Sequence, residues 1–124
     1  MSLYGLFAVG LTAILTAVAN LLLRGGVLRA GGLSLSPQTF ADQIIMLCKE
    51  PIFVLGVFLY GAAAVVWFHV ISFEELSMSY PMLIGMTFIL VGLGSVTLFD
   101  EQMSWLKFAG TVTILGGIFM TARA

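Results

Sequence analysis

Four apolar runs dominate this chain, and together they leave it few ways to fold. They are Leu3–Leu23, Ile52–Phe73, Ser79–Phe99 and Trp105–Ala122. Each approaches or exceeds the roughly 20 residues a helix needs to cross about 30 Å of hydrocarbon. Of the 124 residues 60% are hydrophobic and only 9% are charged, with a mean hydropathy of +1.13. A soluble domain of this length needs several times more charge on its surface. In a bilayer every backbone N–H and C=O must be satisfied within the segment, which selects helices. The expectation is an all-α integral membrane bundle of four transmembrane helices forming a single domain over residues 1–124. The first run lacks a basic leader and a small-residue cleavage site, and it is too long for a signal-peptide core, so it reads as a retained helix.

The only long connection is residues 25–51. Gly25-Gly26 and Gly31-Gly32 are expected to break the first helix. A short interfacial helix is expected over 37–48, with Ser36 as its N-cap and Pro37 at its first position. Phe40, Ile44, Leu47 and Cys48 recur at helical spacing there, with Asp42, Gln43 and Lys49 elsewhere on the wheel. That pattern suits a helix lying on the membrane surface, whether as a spacer or in a functional role.

Charge sets an orientation. Arg24, Arg29, Lys49 and Lys107 lie on the side of the long loop and of the 100–104 link, against Arg123 alone on the other. Basic residues favour the cytoplasm, so both termini are expected outside and the long loop inside. Four short helices do not readily enclose a sealed path, so a dimer is expected. The four-to-one bias suggests a fixed orientation. A parallel homodimer or a heterodimer with an oppositely inserted paralogue fits it, and an antiparallel homodimer stays open.

Few residues could carry chemistry. One cysteine, Cys48, excludes an internal disulfide and any multi-cysteine metal site. No nucleophile–base pair, phosphate-binding glycine loop or metal-ligand spacing is present, so neither an enzyme nor a cofactor or metal is expected. A net charge of −1 offers no basic face to nucleic acid. Asn20 and Arg24 share a face at the end of the first helix. Arg24 reads either as a headgroup anchor or, with Asn20, as part of a substrate path. Tyr60, near mid-membrane, calls for a hydrogen-bond partner and is expected to face the interior. Trp67 reads as an interfacial aromatic, His69 as a surface histidine and Glu74-Glu75 as solvated turn charges. The stretch Leu76–Leu98 opens with Ser77, Ser79 and Tyr80 and carries Pro81, Gly85, Gly92 and Gly94, as a bendable helix with a polar mouth would. Asp100 and Glu101 at its other end stand on the same side as Arg24, within reach of an interhelical ion pair. Gly110, Ile114 and Gly117 form a small-residue stripe suited to helix contact.

The run Tyr60…Trp67…Leu76-Ser77-x-Ser79-Tyr80-Pro81-Met82-Leu83, then Glu101, then Gly110…Ile114…Gly117, resembles the drug/metabolite transporter superfamily. The four-helix small multidrug resistance (SMR)-like members and the EamA-type domains share this pattern. Within it the chain is similar to the small subunits that flip undecaprenyl-phosphate-linked aminoarabinose across the bacterial inner membrane. Those subunits carry a similar AYPML at the start of helix 3 and a GE or HE pair where this chain has Asp100-Glu101. The resemblance covers residues 52–122, and helix 1 more thinly, where Asn20 and Arg24 stand for a Gln and a Lys. It implies that Tyr60 and Tyr80 line a chamber. It also implies that Gly85 marks a kink, with Met86 and Thr87 replacing the rest of that motif, and that Gly110, Ile114 and Gly117 meet a second subunit. SMR drug exporters carry a glutamate in mid-helix 1, where this chain reads Thr16-Ala17-Val18. A buried carboxylate is costly and kept for function, so its absence argues against proton-coupled export of cations.

The expected function is translocation of a polyprenyl-phosphate-linked sugar across the bacterial inner membrane. Its head would pass Asn20, Tyr60, Ser77, Ser79 and Tyr80, and Arg24, with Arg29 or Lys49, would meet the phosphate. The alternatives are export of a soluble small molecule or drug, and a non-transporting partner subunit.

Overall fold

The computed structural model describes residues 2–123, and among them every regular element is helical. Five helices follow in order: α1 (Leu3–Arg29), α2 (Phe40–Lys49), α3 (Pro51–Ile71), α4 (Leu76–Leu98) and α5 (Trp105–Arg123). Four of them, all but α2, are long and apolar enough to cross a membrane.

α1 overturns one expectation from its sequence, because it runs straight through Gly25-Gly26. A β-carbon on Gly26 would lie 2.6 Å from the Phe53 Cβ and 2.7 Å from its backbone N and Cα. Gly26 therefore serves close approach of two backbones, a known use of small residues between membrane helices. The second pair does end the helix. Gly31 and Gly32 both take φ +93. The Gly32 N–H donates to the Val27 carbonyl at 2.8 Å and the Gly31 N–H to the Leu28 carbonyl at 3.3 Å. These are the two bonds of a Schellman cap. At 27 residues α1 is about 40 Å long and outreaches the hydrocarbon core.

α2 starts later than expected. Ser36 does not cap it with its hydroxyl. Instead its carbonyl accepts from the Thr39 and Phe40 N–H groups at 3.2 and 3.0 Å, closing a turn over 36–39 before the helix proper. Gln43 fastens the preceding loop by accepting from the Ser34 N–H at 2.6 Å. Leu47 is buried at 2% exposure, whereas Phe40, Ile44, Ile45 and Met46 are open. Pro51 then opens α3 at a position where its missing N–H costs nothing.

α1 is the centre of the bundle, with α3 on one side and α4 on the other, while α5 rests on α4. Glycines mark the closest approaches. Gly56 of α3 meets Leu23, Gly94 of α4 meets Leu21, and Gly85 of α4 meets Ile118 and Leu115 of α5. Ala8, Val9 and Val70 form the buried core, with Trp67, Met82, Leu83 and Met86 packed around them. Many of the large apolar side chains elsewhere are open, as they are when lipid is the solvent.

At the end carrying Ser2, α1 is tied to the α3–α4 turn. Ser2 donates from its N–H and its hydroxyl to Glu74 Oε1, at 3.2 and 2.9 Å. The Tyr4 hydroxyl lies 2.8 Å from His69 Nε2, and Phe73 packs on the same tyrosine ring. His69 and Glu74 thus hold α1 to the turn as well as meeting the surface.

Candidate functional site

α3 and α4 flank α1 but barely touch each other. Between them one face of α1 is left uncovered along part of its length. Val9, Ala13, Thr16 and Asn20 follow at intervals of four, three and four, so they share that face. Val9 and Ala13 are fully buried, Thr16 is half-buried and Asn20 is exposed. The groove is thus closed towards Val9 and open towards Asn20.

The walls follow from a seven-residue recurrence on each flanking helix. Gly56, Ala63 and Val70 of α3 are buried against α1. Trp67 turns towards α4, where its ring lies 6.0 Å from that of Tyr80, and Tyr60 stands seven residues earlier on α3. On α4 the corresponding series is Tyr80, Thr87 and Gly94. Tyr60 and Tyr80 remain half-exposed, at 49% and 51%. Thr87 has a buried hydroxyl with no hydrogen-bond partner among the described residues. An orphaned buried hydroxyl carries a desolvation cost of about 1–3 kcal/mol, so Thr87 is a costly polar point sealed inside the bundle. Reading the sequence for polar clusters misses Thr87. The signal was its seven-residue step from Tyr80.

Asn20, exposed on α1, spends one donor on its own helix, Nδ2 to the Thr16 carbonyl at 3.0 Å. One turn on, the Arg24 guanidinium lies over the Phe99 ring, 5.3 Å from its centre, with Nε 3.8 Å from Glu101 Oε2. Asp100 does not share that pair. It takes φ +52, a left-handed conformation that Asp tolerates better than most residues. This turns the chain so that the Glu101 N–H reaches back to the Ser95 carbonyl at 3.4 Å. A second pair, Arg29 Nε to Glu50 Oε1 at 3.4 Å, joins the end of α1 to the start of α3.

The two serines of α4 stand apart from this arrangement. Ser79 is fully buried and its hydroxyl donates to the Glu75 carbonyl at 2.8 Å, so it serves the first turn of its own helix. Ser77 is exposed at the start of α4. Pro81, inside α4, has no N–H to offer the Ser77 carbonyl. Gly110, Ile114 and Gly117 are exposed, and no neighbouring atom lies within 4 Å of where a β-carbon on either glycine would be. The stripe faces away from α4. Among the described residues no cluster of His, Cys, Asp or Glu could hold a metal ion.

Four apolar spans around a polar-edged groove define a multi-pass membrane protein. Known proteins of similar length narrow the class. The chain is 31% identical to the probable 4-amino-4-deoxy-L-arabinose-phosphoundecaprenol flippase subunit ArnF of Proteus mirabilis, over 90% of this chain and 86% of that one. It is 24% identical to the protein of that name from Photorhabdus laumondii, over 91% and 92% of the two chains. It is also 33% identical to the uncharacterized protein y4nH of Sinorhizobium fredii, over 94% and 91%. The chain belongs to the family of small membrane proteins that includes ArnF. No family model matches it, and no solved structure matches it.

Proposed function

We propose that this chain is one subunit of a flippase that carries a polyprenyl-phosphate-linked sugar across the bacterial inner membrane. The observation that carries the reading is the face of α1 that passes from fully buried Val9 to exposed Asn20 and ends at a guanidinium one turn on. A groove open sideways between α3 and α4 suits a lipid-linked cargo, whose tail stays in the bilayer while its head moves. Asn20 and Tyr60 would take the hydroxyl-rich head, with Tyr80 at the rim, and Thr87 and the α4-mouth serines Ser77 and Ser79 would join them once α4 moves. Arg24 would meet the phosphate, because a guanidinium matches oxyanion geometry with several donors at once. No carboxylate lies on α1, which suits an anionic cargo better than a cationic drug. The family relationship to proteins named as flippase subunits supports the same reading.

In this account both termini face outwards and the Arg24 end faces the cytoplasm. A second subunit, a paralogue or another copy, packs on the open Gly110, Ile114 and Gly117 stripe of α5 and closes the groove. Proteoliposomes holding a fluorescent polyprenyl-phosphate sugar test this. Reduction by an impermeant quencher should run to completion when the chain and its partner subunit are present, and should stop at the outer leaflet with Arg24→Ala. Leaflet exchange equal to that of empty vesicles would refute the proposal.

A further inference from the structure

The cation at the groove mouth already has an anion beside it. Arg24 Nε stands 3.8 Å from Glu101 Oε2, beyond hydrogen-bond reach and far longer than the 2.7–2.9 Å of a well-made guanidinium–carboxylate bond. Phe99 supports the guanidinium from one face, so its N–H edges stay free. Both side chains are partly open, at 51% and 39%. The other pair on α1, Arg29 with Glu50, lies closer at 3.4 Å around a carboxylate only 15% exposed, and it too forms no hydrogen bond. Glu101 is also positioned by the backbone, through the left-handed Asp100 and the return bond to Ser95. A carboxylate is thus held near an arginine without forming the bond it could form.

We propose that Glu101 is an internal stand-in for the phosphate of an anionic lipid. It occupies Arg24 while the groove is empty and is displaced when a phosphate-bearing head arrives. This rests on the reading of Arg24 as the phosphate contact. A phosphate offers more negative charge and more acceptor oxygens than one carboxylate, and both compete for the same N–H edge. The arrangement keeps a lone guanidinium from capturing bulk anions and makes binding selective for heads that outcompete the carboxylate. Losing a partly exposed competitor worth about 0.5–1 kcal/mol should tighten phosphate binding roughly two- to fivefold.

The test is titration of the purified full-length chain in neutral detergent with dioctanoyl phosphatidic acid and, separately, with inorganic phosphate. Glu101→Gln should bind the lipid two- to fivefold more tightly than the unaltered chain, a gain that a misfolded variant could not mimic. Asp100→Asn removes the same charge one residue away and keeps the left-handed conformation, so it should leave affinity unchanged. Arg24→Gln, and Arg24→Gln combined with Glu101→Gln, should both lose the binding to the same extent. If the unaltered chain binds through Arg24 but Glu101→Gln changes nothing, or Asp100→Asn tightens binding as much, the stand-in falls and the phosphate contact survives. If no variant binds the lipid, the phosphate role of Arg24 falls with it. If inorganic phosphate binds Glu101→Gln as tightly as the lipid does, the site reads free anions and the proposal is overturned.

Discussion

Two adjacent glycines near the end of α1 should respond in opposite ways to the same methyl group. At Gly26 a β-carbon would lie 2.6–2.7 Å from the Phe53 backbone N, Cα and Cβ. Main chain cannot rotate away as a side-chain tip can, so α1 and α3 must separate along their tightest contact. Overpacking of this kind costs about 1–3 kcal/mol. At Gly25 the nearest atoms, on Ile52 and Phe99, are 3.9 Å from the new carbon, an ordinary contact. There alanine brings only its better helix propensity, worth up to about 1 kcal/mol. Gly25→Ala should therefore raise the thermal midpoint in detergent and Gly26→Ala lower it. The readout is the fraction of monodisperse protein left after stepped heating, followed by fluorescence-detected size exclusion. If both variants lose stability equally, Gly25-Gly26 is a flexible break and the close crossing of α1 and α3 is wrong. If Gly26→Ala is as stable as the unaltered chain, the backbone contact does not exist.

Thr87→Val keeps the shape and removes the unpartnered hydroxyl, so it should stabilise the protein by about 1 kcal/mol; slower flipping alongside that gain would assign the hydroxyl to cargo, and a loss of stability would show a partner for it. Tyr4→Phe and His69→Ala each remove one side of the 2.8 Å contact between the start of α1 and the end of α3. Each should cost about 0.5–1.5 kcal/mol, with a double-mutant cycle by thermal unfolding showing strong coupling, and additive losses would count against the bond.

The spans were legible because twenty-residue apolar runs admit almost no other structure. The order of packing was not, because these helices are apolar nearly all round and hydropathy does not show which face meets which. That information lies in small residues, and its meaning depends on the neighbour. Gly26 reads as a helix breaker until Phe53 is seen against it, while Gly31 and Gly32 do end the helix. Arg24, Asn20 and Tyr60 could be picked out as costly polar groups in an apolar setting. Whether a serine is free or spent is invisible in sequence, since Ser79 differs from Ser77 only by its bond to the Glu75 carbonyl and its burial. Thr87 does not stand out in the sequence, because a lone threonine in a membrane helix ordinarily bonds its own backbone, as Thr97 does with the Leu93 carbonyl at 2.9 Å.

The most direct test of the groove as a lipid-phosphate site is native mass spectrometry of the protein extracted gently from its own membrane. An adduct with the mass of a polyprenyl-phosphate sugar is expected on the unaltered chain. That adduct should be lost in Arg24→Ala and retained in Arg123→Ala, whose guanidinium stacks on Phe119 at the far end of α5. A lipid-free spectrum, or an adduct that Arg24→Ala leaves intact, would contradict the lipid-phosphate site.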